Sequence, residues 1–131
     1  MIGRWVIEHA QTRMAVTTEE DLKQRLLTLP LEEDPSLLLI HESGDHMFVA
    51  FRSDSAVVIF RPVARDKRHL SVSVNPGFKP SSDADYVEFM VGGTATPIPK
   101  DRCIPRATGV EVALHYFSRA ALPKTVHWVE G

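Results

Sequence analysis

The sequence predicts an α+β fold: a mainly antiparallel sheet of about six or seven strands, with two helices packed on one of its faces. Three observations lead there. Two segments repeat apolar residues at helical spacing: Leu22, Leu26 and Leu29 in the first, and Val110, Ala113, Leu114, Phe117 and Ala121 in the second. Several short runs alternate apolar and polar residues between turn-forming residues, as half-buried strands do. The order is strand, helix, several strands, helix, strand, which lacks the strand–helix rhythm of a parallel sheet. The 131 residues fit one domain, 1–131, with no repeat, low-complexity tract or linker.

Each element has a local reason. Residues 2–8 read as a first strand, with Trp5 and Ile7 on its inner face. Thr17 and Thr18 precede Glu19, Glu20 and Asp21. Thr17 with Glu20 is a capping-box pattern, and the three acids suit the positive end of a helix dipole. Leu27 stands beside the leucine stripe, and the helix ends before Pro30, where an acidic loop, 31–35, begins. Residues 37–41 and 46–51 flank the turn Glu42, Ser43, Gly44 and Asp45, a hairpin signal. Asp54 and Ser55 make the next turn, and 56–60 is the third strand of a meander. Leu70, Val72 and Val74 alternate with Ser71 and Ser73 as a half-buried strand.

The stretch 75–83, rich in Pro, Gly and Ser, reads as a loop. Val87, Phe89 and Val91 share one face of the following strand, which Gly92 and Gly93 end. Residues 94–102 read as extended. Pro105 suits the first turn of the second helix, and Leu122 with Pro123 closes it. A last strand, 125–130, carries Val126 and Trp128. Trp5 and Trp128 read as packing anchors of the core.

Composition removes several function classes. The apolar fraction is 44% and the charged fraction 24%, as in an ordinary globular chain. A net charge of −2 argues against a general nucleic-acid binder, which carries a basic surplus. A single cysteine, Cys103, excludes an intrachain disulfide and points to a reducing, cytoplasmic setting. The first ten residues include Glu8 and His9 and do not read as a signal peptide. No apolar run approaches the ~20 residues of a membrane span.

No motif of catalysis stands out. His41 and His46 flank a hairpin turn with Asp45, yet they lack a known ligand spacing, and no metal or cofactor is expected. Cys103 has no local nucleophile signature, there is no G-x-S-x-G elbow, and Gly92-Gly93 opens no phosphate loop. Arg61, Arg65, Lys67 and Arg68 are interrupted by Asp66 and read as a solvated turn. Two acidic groups are the candidates for partner binding. One is Glu32, Glu33 and Asp34; the other is Asp83, Asp85 and Glu88. Such groups steer a basic partner, although either alone also reads as a solvated loop.

The last third of the chain carries a recognisable pattern. Ile104-Pro105 leads into the helix through Ala113 and Phe117, followed by Leu122-Pro123-Lys124-Thr125-Val126-His127-Trp128-Val129-Glu130. This resembles the large immunity-protein family of bacterial polymorphic toxin systems, which includes partners of deaminase-type toxins. Its members end in a helix, a proline turn and a Val-x-Trp strand. The Thr17-Thr18 helix start and the 37–51 hairpin fall in the family's order. One departure is that many members carry Gly shortly before the proline, where Ala120 and Ala121 stand here.

The resemblance implies a non-catalytic inhibitor in a bacterial cytoplasm, made with a cognate toxin domain and blocking its active site or substrate access. It implies a nuclease or nucleic-acid deaminase as the toxin; the charge balance and the short apolar runs argue against direct contact with nucleic acid or membrane. Monomer and weak dimer both stay open. Two other readings stand beside it. One is a small enzyme or ligand-binding domain with a pocket at His41, His46 or His115, which requires a deep cleft. The other is an oligomerisation module, which requires a large self-complementary apolar patch.

Overall fold

The middle of the chain is dense in β-branched and aromatic residues, which favour a pleated backbone, and it folds into strands paired with their sequence neighbours. The structure, a computed structural model, describes residues 5–9, 12–16, 18–27, 36–64, 68–74, 77, 79–91 and 94–130. For 5–9, 12–16, 90 and 91 it describes the backbone alone. The elements in chain order are β1 (Trp5–His9), β2 (Thr12–Val16), α1 (Glu19–Leu27), β3 (Ser36–His41), β4 (His46–Arg52), β5 (Ser55–Arg61) and β6 (Leu70–Ser73). Then come β7 (Tyr86–Val91), β8 (Thr94–Pro99), β9 (Ile104–Pro105), α2 (Arg106–Arg119) and β10 (His127–Glu130).

Seven strands follow one antiparallel path, β10-β6-β5-β4-β3-β1-β2, and the short β9 pairs with the start of β5. This is the α+β architecture that the sequence predicts. Both helices lie on one face. Leu22 and Leu26 of α1 and Val110, Val112, Ala113, Tyr116 and Phe117 of α2 pack with Leu37, Leu39, Met47, Val49, Phe51, Ala56, Val58 and Val72 of the sheet. α2 runs close to β5 at Gly109, where an added Cβ would lie 2.7 Å from that of Ala56. Glycine is used there for lack of volume, since its backbone needs no special conformation.

The other sheet face is covered as well, which the sequence does not announce. β7 and β8 form a separate hairpin that lies over β4 and β5. Phe89 and Ile98, with half-buried Val87, pack on Ala50 and Val57 and on half-buried Phe48 and Ile59. The central strands are therefore apolar on both sides, and alternation fades in β4 and β5 for that reason. The molecule has three layers: helices, sheet, hairpin.

Several expectations are corrected. β2 was not foreseen; it returns along β1, with Trp5 opposite Val16 and His9 opposite Thr12. The 70–74 strand stops at Ser73. Val74 is 62% exposed, whereas Ser71 and Ser73, read as the wet face, are buried. For Ser73 the turn after β8 supplies the partner: Ser73 Oγ donates to Asp101 at 2.8 Å, and the Val74 amide donates to the Asp101 carbonyl at 2.7 Å. A polar position in an alternating strand thus faces a buried carboxylate instead of water. The helix cap is Thr18, whose Oγ1 accepts the Asp21 amide at 3.1 Å. Leu27 is 58% exposed, off the leucine stripe. α2 ends at Arg119, so Ala121 lies beyond it and is exposed, while Val112 and Tyr116 widen the buried face. Thr17, the 28–35 segment, residues 65–67, Gly92 and Gly93, and the side chains of Trp5 and Ile7, lie outside the described residues.

Candidate functional site

The C-terminal pattern has a structural cause. After α2 the chain turns at Ala120, which takes the left-handed conformation (φ 52°) and donates its amide to the Tyr116 carbonyl at 2.8 Å. That is the position a helix ordinarily gives to glycine. The chain then passes through buried Pro123 and enters β10, whose Trp128 donates its indole N–H to the Pro123 carbonyl at 3.0 Å. Val126 and Trp128 pack against the helix-side core. Trp128 sits opposite Val72 in the β10–β6 register. The proline and the Val-x-Trp pair are therefore one device, a strap that folds the chain end back onto sheet and helix.

The strap leaves a cleft against α2, lined by Thr108, Glu111, Val112 and His115 of the helix and by Pro123, Thr125 and Val126, with a volume of about 210 Å³. Ligand pockets run to roughly 300–1,000 Å³. The sequence singled out His115 alone; Thr108, Glu111 and Thr125 were missed. For the two helix residues the signal was the i, i+3, i+7 spacing of Thr108, Glu111 and His115, a polar stripe beside buried Val112; Thr125 had none.

The other histidines are elsewhere. His46 pairs with Ile40, one step out of line with His41, so the two rings leave opposite faces of the hairpin. His41 Nδ1 is 2.9 Å from Ser43 Oγ, and His46 Nδ1 is 3.2 Å from the Gly44 carbonyl. Asp45 accepts the Val63 amide at 2.7 Å, and Gly44 (φ 99°) lies under Val63. These residues build the turn, and the pocket reading that named His41 and His46 finds the two rings on opposite faces. Among the described residues no three His, Cys, Asp or Glu side chains gather to hold a metal.

Of the acidic candidates, Glu32, Glu33 and Asp34 lie outside the described residues. Asp83 and Asp85 lie in the 3-10 turn that leads into β7, Glu88 lies on β7 itself, and the three divide by role. Asp85 accepts the Ser81 amide at 2.9 Å, the Ser81 hydroxyl at 3.1 Å and the Ser82 amide at 3.3 Å. These bonds, the Ser81 backbone one above all, hold its carboxyl below the usual aspartate range. Asp83 and Glu88 are exposed. The Glu88 carbonyl accepts a bond from Arg52 at 2.8 Å. On the same hairpin Tyr86 is 40% exposed. Cys103 is half-buried beside the hairpin layer, and burial pushes its thiol pKa up.

A sequence model of the family described as Immunity protein Imm1 matches residues 7–130. The chain belongs to the Imm1 immunity-protein family. The match runs from β1 to the end of β10 and so takes in all three layers and the closing strap. A search of the curated proteins returns no match. As an Imm1 member the protein is an immunity protein against a toxin, and its partner is a toxin. No helix among the described residues is long and apolar enough to cross a membrane.

Proposed function

We propose that this Imm1 protein binds a cognate toxin domain, a nuclease or nucleic-acid deaminase of a bacterial polymorphic toxin system, and blocks its active site or substrate access in the cytoplasm. It does so without turning anything over. The family match across residues 7–130 carries this reading. Asp83, in the turn before the outer hairpin, and Glu88, on its first strand, add negative charge that complements a basic nucleic-acid channel and speeds encounter. Glu32, Glu33 and Asp34 are proposed to act in the same way.

The other readings gain less. The cleft that contains His115 is smaller than an ordinary ligand site, and His41 and His46 are not part of it. Among the described residues the large exposed apolar ones, Leu27, Val63, Val74 and Tyr86, come from four separate segments, which gives the oligomer reading no support. The reading is tested by co-expression with the toxin domain encoded beside this chain. Growth should be rescued and the two proteins should purify together. Toxicity undiminished by a well-expressed, folded chain would refute it.

A further inference from the structure

We infer that the cleft between α2 and the strap is a socket for one arginine side chain of a protein partner. This deepens the toxin-binding reading and rests on it. The walls are fixed before any partner arrives. α2 supplies one stripe of the lining, with buried Val112 at its base. The opposite wall is held by Pro123, which is itself buried, and by the Trp128 indole bond to the Pro123 carbonyl. A preformed pocket of this kind spares a partner the ordering cost of binding.

The size and the lining choose the occupant. A volume of about 210 Å³ is small for a cofactor or metabolite and suits one inserted side chain. Half-buried Val126 offers apolar surface to an alkyl stem, backed by the buried side chains of Val112 and Pro123. Glu111, Thr108 and Thr125 offer oxygen acceptors to a head group, and the His115 ring offers a flat face. Glu111 is exposed on α2 and has no ion-pair or hydrogen-bond partner among the described residues. A carboxylate left without an internal cation, in a cleft that two threonines also line, matches a planar guanidinium better than an ammonium. The guanidinium presents a fork of donors, stacks on a ring and is more weakly hydrated. Arginine inserted in a pocket is also a frequent anchor of protein interfaces. A toxin that handles nucleic acid carries such arginines on the surface an inhibitor must cover.

The experiment measures binding kinetics to the neighbouring-gene toxin domain, inactivated at its catalytic residue, for wild type, Glu111→Gln and Glu111→Lys. Thermal melts confirm folding, because Glu111 is a surface position. The expected result is about tenfold weaker binding for Glu111→Gln and about a hundredfold for Glu111→Lys, mostly through faster dissociation. A scan of the toxin's arginines should find one whose replacement by alanine adds little further loss on the Glu111→Gln background. Unchanged binding by both folded variants overturns the socket and leaves the toxin-binding reading in place. Weakened binding with no coupled toxin arginine overturns the choice of occupant. Failure of the wild type to bind overturns the toxin-binding reading and the socket together.

Discussion

Ala120 stands in a left-handed backbone conformation where the helix turns toward the strap. A Cβ there costs about 1 kcal/mol, and glycine removes that cost while adding unfolded-state entropy. Ala120→Gly should therefore leave the fold unchanged and stabilise it by up to about 1 kcal/mol in urea unfolding. A destabilised variant would show that the turn is not set by that residue. Cys103 gives a pH-dependent test. Burial raises its folded-state pKa, so the folded thiol keeps its proton when the unfolded one has lost it. This group's contribution to stability is full below the unfolded value of about 8.5 and declines as pH rises from there through the folded value. At pH 8 its reaction with a disulfide reagent should be slower than that of the urea-unfolded chain, and equal rates would contradict the burial.

The β7–β8 hairpin is the element with the clearest mechanical role, since it covers the sheet face that the helices do not. Phe89 is 1% exposed at the centre of that contact. Phe89→Ala should cost about 3–5 kcal/mol by urea unfolding. A loss below 1 kcal/mol would mean that the hairpin rests on the sheet without being part of the core. Legibility in the sequence also divides by element. α2 and the β3–β4–β5 meander were readable because their apolar spacing and turn residues agree. The hairpin's place was not, because alternation says which side of a strand is apolar and nothing about which neighbour covers it. Ser73 misled for a related reason: its partner, Asp101, lies 28 positions further along the chain. Two of the four polar residues in the α2 cleft, Glu111 and Thr108, looked like an ordinary wet helix face. They become a site only once Pro123 to Val126 fold beside them.

At the scale of the whole molecule the account concerns a surface. The chain exposes 7855 Å², and a standard interface takes about 800 Å² from each partner, about a tenth of it. The three-layer body presents two different faces to a partner. Glu88 lies on the outer hairpin with Asp83 in the turn before it, and the helix layer carries the proposed socket at Glu111. On this account the first affects encounter and the second residence. Reversing both hairpin acids, Asp83→Lys with Glu88→Lys, should slow association severalfold at low salt and change dissociation little, with the difference shrinking as salt rises. An unchanged association rate at low salt would remove the hairpin acids from the account.

The most direct measurement is a titration of active toxin domain with the purified chain while the toxin's activity on nucleic acid is followed. An occluding protein should abolish that activity at one chain per toxin domain, with both recovered chemically intact from the complex. Inactivation by a small fraction of an equivalent would reveal turnover, and full activity at a large excess would reveal no inhibition. Either would contradict the claim that the folded surface does the work.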